Sequence, residues 1–325
     1  MLNKFIGTIC IGVVFLMLQS STKYDAKMVK IYISQTVQHP AINSTTKGII
    51  DGLAADGYIN GKNIDLQQQS AQGNIALANQ IATSYVSNEP DVVVAVATLA
   101  AQSFAKFTRS GKTKMIFSTV TDPIEANLVQ NLELPGNNSS GVSNYVDLGP
   151  QLAIFKRINP SIKKLGFLYN PAELNSITLI KKLRKLCPEY EMELVTMPAN
   201  KSADVSQSAV KLSSLVDAIF ISNDNTALSA MSTIVKAANN AKILVFVSDT
   251  DIVINGAIAA LGPNQYEIGL QTAKMIVRVL EGEDINTLPV EFPTNTELFL
   301  NQKAAKKLGI EFSKELLQEA KIVIE

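Results

Sequence analysis

Tryptophan is absent from this 325-residue chain, histidine occurs once and cysteine twice. With His39 as the single histidine, a multi-histidine metal site cannot be assembled, and a Ser-His-Asp triad would have to use that one ring. Cys10 lies inside an N-terminal apolar run; if that run is removed, Cys187 is left with no partner for an internal disulfide. Cys187 falls on the apolar side of a helical pattern and reads as a small core residue rather than a nucleophile. An excess of charge of either sign is also lacking. The chain carries 29 basic and 29 acidic side chains, and no Lys/Arg block is long enough to follow a nucleic-acid backbone. There is no Walker loop, no G-x-S-x-G elbow and no G-x-G-x-x-G after the first apolar strand.

Apolar residues, by contrast, make up 46% of the chain, and its length suits about two domains. Residues 1–24 stand apart: Lys4 precedes an uncharged apolar run over 5–18, followed by Gln19, Ser20, Ser21 and Thr22. That is the layout of an export signal, and the run is shorter than the roughly 20 residues a membrane span needs. No Ala-x-Ala precedes the mature start, so retention as an anchor stays open. Cys10 lacks the small residues of a lipid-attachment site.

Beyond this segment, strand and helix patterns alternate. Apolar strands are expected over 29–34, 64–69, 92–97 and 114–118, then over 165–169, 194–197, 218–221, 243–247 and 257–261, with helices between them. Such alternation, twice over, predicts an α/β protein with two parallel-sheet layers. The strand at 64–69 alternates more than the others and belongs nearer an edge. Helix caps are expected at Asp122 (with Pro123 and Glu125) and at Asn170 (with Pro171 and Glu173). A strand delivering hydroxyls to a helix N-terminus at 118–123 would seat an anion.

In parallel sheets, ligands bind outside the carboxyl ends of the strands, and the polar residues gather there. Gln35 and His39 follow the first strand, and Thr98 and Gln102 the third. Ser118, Thr119 and Thr121 end the fourth. In the second half, Asn170, Glu173 and Asn175, then Asn223, Asp224 and Asn225, then Asp249 take the same place. His39, beside Pro40, is either a turn residue or a ligand contact. Asp122 and Asn170 are accounted for as caps. Asp249 is less easily explained that way, because Thr250 and Asp251 follow it, and a carboxylate at a sheet edge pairs well with an ammonium. The hydroxyls of Thr98, Thr119 and Thr121 either cap helices or hold a carboxylate. Tyr145 and Tyr266 either wall a pocket or pack in a core.

The segments HPAINSTTKGIIDGLAADGY, QSAQGN, VATLAAQSFA, FSTVTDP, LGFLYNPAELNS, SNDNTALSA and GAIAALG together resemble the solute-binding proteins of ABC importers. The resembling subgroup includes binders of tryptophan and other aromatic amino acids, and the likeness runs from Val29 to the C-terminus. It implies a type I periplasmic-binding-protein fold: two Rossmann-like lobes joined by three crossover segments near 143–147, 262–265 and 291–295. Lobe 1 would comprise 28–144 and 263–291, and lobe 2 145–262 and 292–325. By position, the resemblance gives a ligand carboxylate to Thr98, Thr119 and Thr121 and its ammonium to Asp249. The chain departs from its relatives in carrying Leu99 where proline is expected. Lacking tryptophan, it also lacks one usual stacking partner for an aromatic ligand.

The expected function is therefore that of an exported, monomeric binding protein without cofactor or metal. It would lie in the periplasm or on the outer face of the cytoplasmic membrane and deliver an amino acid to ABC permease subunits. Nucleic acid is not an expected partner. The alternatives are a ligand-sensing receptor of the same fold and a binder of another polar solute such as a sugar or nucleoside. An α/β enzyme would have to work with His39 and Asp122 or Asp249.

Overall fold

The computed structural model describes residues 28–325 except Lys112; the expected export segment lies outside the described residues. The first sheet contains β1 (Val29–Gln35), β2 (Ile64–Ser70), β3 (Val92–Val96), β4 (Met115–Val120) and β5 (Ser139–Ser143). All neighbours are parallel, in the order β2-β1-β3-β4-β5. β3, sequence VVVAV, is buried along its whole length, as suits a central strand covered on both faces. β2 lies at the edge and leaves Gln67, Gln68 and Gln69 exposed, in keeping with its polar alternation. Helices α1 (Pro40–Ala55), α2 (Ile75–Ser87) and α3 (Thr98–Arg109) make the crossovers.

The second unit runs α4 (Leu148–Ile158), β6 (Lys164–Tyr169), α5 (Leu174–Leu186), β7 (Glu193–Pro198), α6 (Val205–Ser213) and β8 (Ala218–Ile221). It continues through α7 (Asn225–Ser229), α8 (Met231–Ala241), β9 (Leu244–Val247) and β10 (Ala259–Gly262). The chain then passes back through α9 (Gln265–Leu280), and ends with β11 (Glu297–Asn301), α10 (Gln302–Lys307), α11 (Lys314–Glu319) and β12 (Ile322–Ile324). This sheet has the order β12-β11-β10-β9-β8-β6-β7, with β10 and β11 its antiparallel pair. Ile180, Leu183 and Cys187 are buried together, and burial pushes the Cys187 thiol up to about 11, as befits a core residue. Phe155 stacks on Phe246 at 4.1 Å between ring centroids and meets Phe220 edge-on at 5.0 Å. Aromatic pairs of this kind add about 0.5–1.5 kcal/mol each beyond buried area.

The two sheets thus form two lobes, and the chain crosses between them three times: after β5, after β10 and before β11. α9 belongs to the first lobe, where it packs on α1 at glycine positions. A Cβ on Gly48 would stand 2.2 Å from the Tyr266 carbonyl oxygen, and one on Gly269 2.2 Å from that of Thr45. Before the third crossing, Ser143 N donates to Glu291 O at 2.9 Å and Glu291 N to Gly141 O at 3.0 Å, so this segment is stitched to β5.

Two local expectations fail. β4 does not stop at the hydroxyls but runs on to Val120, with a register shift between Ser118 and Val120 and Thr119 at φ +55°. No helix follows Asp122. Asp122 Oδ1 accepts from Glu125 N at 3.0 Å, as a cap would, but Asn127 at φ +55° turns the chain within one turn. The anion seat expected from a helix N-terminus at this point is therefore missing. Likewise α5 starts at Leu174, not after Asn170. Asn170 Oδ1 accepts from Ala172 N at 2.9 Å in a local turn.

Candidate functional site

The carboxyl ends of the two sheets face each other around a narrow cavity of about 20 Å³, on the order of the space one water molecule needs. From the first lobe come His39, Ala41 and Ile42 at the start of α1, Ala97 and Thr98 at the start of α3, and Thr119 and Thr121 after the β4 bulge. Asn144 and Gln265 enter from crossover segments. The second lobe supplies Asn175, Asn223, Asn225, Leu228 and Asp249.

The lobe 1 wall rests on unusual backbone. Ala97 has φ +71° and ψ +164°, a region almost confined to glycine, and Thr119 is a β-branched residue at φ +55°. Such conformations cost about 1–3 kcal/mol each and are held by the surrounding structure. Here the fixing contacts are visible: Ala97 N donates to Ser118 O at 2.9 Å, and Ala100 N to Thr36 Oγ at 3.0 Å. Thr119 Oγ1 donates back to Ser118 O at 2.7 Å. α3 begins at Thr98, so the positive end of its dipole lies at the cavity.

The lobe 2 wall rests on buried charge. Asp249 is 3% exposed; its Oδ1 accepts from Gln265 Nε2 at 2.6 Å, whereas Oδ2 is buried with no partner. Burial, then the nearby Asp251, pushes its carboxyl up to about 7. Behind Asn175 and Asn225 lies Glu173, whose carboxylate accepts from Asn225 N and Thr226 N at 2.9 Å each. It also takes Asn225 Nδ2 at 2.7 Å, Thr226 Oγ1 at 2.8 Å and Asn175 Nδ2 at 3.1 Å. Next to it, Asp224 accepts from Asn170 N, Ser176 Oγ and Ala227 N. Burial and the charge of Glu173 push the Asp224 carboxyl up to about 8.

The lobes touch across the cavity. Asn223 Nδ2 donates to Thr121 Oγ1 at 3.2 Å and to Asn144 Oδ1 at 3.3 Å, and His39 Nε2 lies 3.4 Å from Asn225 Oδ1. Thr45 Oγ1 donates to Gln265 Oε1 at 3.2 Å, tying α1 to the group that holds Asp249. Outside the cavity, Thr178 Oγ1 donates to Glu125 at 2.5 Å, with Lys181 3.5 Å from the same carboxylate and Lys182 3.8 Å from Asp122.

Of the residues singled out in the sequence, His39, Thr98, Thr119, Thr121, Asn175, Asn223, Asn225 and Asp249 meet on the cavity wall. The others do not reach it. Gln35 is buried beneath α1, where it donates to Thr46 Oγ1. Gln102 is exposed on α3, and Ser118 is spent on Thr272 at 2.7 Å. Tyr145 lies in the first crossover under the Lys182 ammonium, 3.8 Å from its ring centroid. Asn170, Glu173 and Asp224 bond to one another's neighbours behind the wall rather than to its surface. Tyr266 faces Asp51 instead. Asn144 and Gln265 were missed because each stands at a crossover, where neither strand nor helix periodicity marks a direction. Ala41, Ile42, Ala97 and Leu228 were missed because apolar residues beside an element end look like core.

Comparison with known proteins gives a consistent picture. A family model described as ABC transporter substrate binding protein matches residues 30–324. A curated relative, the tyrosine-binding protein of Clostridioides difficile (strain R20291), is 33% identical over 290 residues, covering 89% of this chain and 84% of its own. Among solved structures, an ABC domain in complex with L-Trp from Streptococcus pneumonia superposes with TM-score 0.88 at 32% identity, over 91% of this chain and 100% of that one. A ligand-free, open substrate-binding protein with adhesive properties from Clostridium difficile has nearly the same identity, 31%, but TM-score 0.68, over 91% of this chain and 99% of that one. Over nearly the same share of the chain, this structure therefore superposes better on the tryptophan complex than on the open form.

Proposed function

We propose that this chain, which belongs to the ABC transporter substrate-binding protein family, captures a free aromatic amino acid between its lobes and delivers it to a membrane permease. The family is one of binding proteins rather than enzymes. The similarity to a tyrosine-binding protein and to a structure in complex with L-Trp supports the choice of ligand class. The observation that carries the proposal is Asp249 Oδ2, a carboxylate oxygen buried without a partner on the wall of a cavity whose opposite side is hydroxyl-lined. A buried carboxylate is costly unless a cation or donor reaches it, and an α-ammonium supplies both charge and N–H groups. Thr98, Thr119 and Thr121, with the N-terminus of α3, suit the α-carboxylate of the same ligand. Ala41, Ile42, Ala97 and Leu228 leave apolar surface for its side chain.

Closure follows from having the two charged ends of one ligand held by different lobes. The ligand then interacts fully with the shut form and only half with an open one, and that differential affinity draws the lobes together. The hinge would be the three crossover segments near 143–147, 262–265 and 291–295, leaving each sheet rigid. In this role the protein acts outside the cytoplasmic membrane as a monomer presenting the closed lobes to permease subunits.

Isothermal calorimetry of the protein without its N-terminal segment, against the common amino acids, a sugar panel and purine nucleosides, tests the reading. Tyrosine or tryptophan is expected to bind most tightly. Binding of sugars or nucleosides with no amino acid would overturn the ligand class while leaving the family untouched.

A further inference from the structure

Among the described residues lining the cavity, two carry a buried polar atom without a partner: Asp249 Oδ2 and His39 Nδ1. The first is accounted for by an ammonium. The second has a chemical identity fixed by its neighbours. Glu173 accepts from two backbone N–H groups, so its carboxyl must be an acceptor, and Asn225 must turn its Nδ2 toward it at 2.7 Å. Asn225 Oδ1 is then the atom that faces His39, 3.4 Å from Nε2. An amide oxygen only accepts, so Nε2 carries the ring proton. The ring is neutral at pH 7, because burial holds it down to about 4. Nδ1 is therefore an unpaired lone pair on a residue that lines the cavity.

The cavity residues next to His39 along the chain are apolar. Ala41 and Ile42 follow His39 at the start of α1, and Leu228, on the facing lobe, lies one turn beyond Asn225 on α7. Thr119 and Thr121, by contrast, lie at the carboxyl end of β4, two strands from β1 in the sheet order, which is about 10 Å at roughly 4.8 Å per strand. His39 thus belongs to a different strand end from Thr119 and Thr121, and two of the apolar cavity residues, Ala41 and Ile42, follow it directly in α1.

We infer that His39 Nδ1 reads the ligand's side chain, accepting a hydrogen bond from an O–H or N–H at its far end, so that phenol and indole side chains are preferred to phenyl. This rests on the amino-acid reading above. The physical basis is asymmetric. A donor satisfies an otherwise orphaned acceptor, whereas a phenyl ring displaces water from it and leaves it unpaired. Glu173 and Asn225 act through His39 by setting which nitrogen faces the ligand, and are positioning residues.

The test is calorimetry with L-Tyr, L-Trp and L-Phe at pH 7.5 on the unmodified protein and on His39→Leu and His39→Asn. The unmodified protein should favour Tyr or Trp over Phe by at least about tenfold, the scale of one lost hydrogen bond to a buried acceptor. His39→Leu should cut that preference to under about threefold by weakening Tyr and Trp, and Phe affinity that is unchanged or improved would show that the pocket is intact. His39→Asn, which places an amide oxygen near the Nδ1 position, should keep a preference. Equal binding of all three ligands by the unmodified protein, or a preference that survives in His39→Leu, would overturn the inference while sparing the amino-acid reading. Failure of all three ligands to bind would remove both.

Discussion

The two walls of the cavity are built on different physical means. The first lobe presents neutral hydroxyls and stores its cost in the backbone, with Ala97 and Thr119 at positive φ beside the site. The second presents amides and a carboxylate, and stores its cost in electrostatics. Asp249 lies on the surface of that wall, and Glu173 and Asp224 lie close together behind it. A wall of dipoles can take an anion without a balancing cation, whereas a wall with a spare carboxylate needs one. The difference predicts that lobe 2 residues dominate affinity and its pH dependence, and lobe 1 residues the trade between stability and binding.

Removing the spare carboxylate should have the largest effect. Asp249→Ala is expected to weaken amino-acid binding by about 100-fold or more, the scale of losing one member of a buried charge pair, about 3–5 kcal/mol. The fold should stay intact, because among the described residues the only hydrogen-bond partner its side chain loses is Gln265 Nε2. Calorimetry beside a thermal melt checks both. Unchanged affinity would move the ammonium elsewhere.

Glu173→Gln tests the electrostatic support of the same wall. It leaves an NH₂ group facing backbone and side-chain donors that now lack acceptors, at a cost of about 3 kcal/mol in unfolding free energy. Relief of the repulsion on Asp224 offsets part of it. A loss below about 1 kcal/mol in denaturant unfolding would show that the donors around Glu173 find other acceptors when the carboxylate is removed.

These acids were only partly legible in the sequence. The fold was readable because valine- and isoleucine-rich runs such as VVVAV alternate with helical patterns, and the strand ends could be located from where the apolar runs stop. Asp249 and the three threonines were named from position alone. The roles of Glu173 and Asp224 were not separable from those of Asn175 and Asn225, because all four stand at helix starts, as N-caps or in the first turns of α5 and α7, where neither strand nor helix periodicity marks a direction. The helix expected after Asp122 failed for a similar reason. Cap chemistry is local, whereas Asn127 at φ +55° and the contacts of Glu125 with the other lobe are decided by tertiary structure.

Acidic groups with raised pKa values also set a pH dependence. Asp224 and Asp249, pushed up to about 8 and 7, hold protons in the fold that the unfolded chain has released. Their stabilising contribution is complete below about pH 4 and is lost as pH rises through 7 and 8. His39, held down to about 4, works in the opposite sense between pH 4 and 6.5. Above 6.5 it is neutral in both states, so the ligand-free protein should lose stability from pH 6.5 to 8.5, by at most about 1.4 kcal/mol per pH unit per proton. An amino acid that pairs with Asp249 should flatten this slope and release a proton on binding near pH 6.5. Calorimetry in buffers of different ionisation enthalpy reads that proton.

On the lobe 1 side, Thr119→Gly should relieve the cost of a β-branched residue in the left-handed region, about 1–2 kcal/mol, less the 0.5–1 kcal/mol entropy of an added glycine. A net gain of about 0.5–1 kcal/mol in the ligand-free melt is expected, together with weaker ligand binding because the hydroxyl is gone. A variant that is both less stable and weaker in binding would show that the Thr119 side chain supports the fold rather than the site.

The smallest effect belongs to the contact outside the cavity, where both walls end. Glu125 accepts from Thr178 and faces Lys181, and its carboxyl is held below the usual range first by the Thr178 hydrogen bond. Both charged partners are substantially exposed, 40% for Glu125 and 58% for Lys181, so the pair is worth under about 1 kcal/mol and is screened by salt. Because Glu125 belongs to the first lobe and Thr178 and Lys181 to the second, the contact favours the shut arrangement only. Glu125→Gln should therefore weaken ligand affinity about two- to threefold at low salt, with the difference vanishing near 1 M salt and the ligand-free melt unchanged. A loss above tenfold would mean that the rim latch, and not the ligand's own bridge between hydroxyls and carboxylate, holds the lobes together, and the division of labour between the two walls would have to be redrawn.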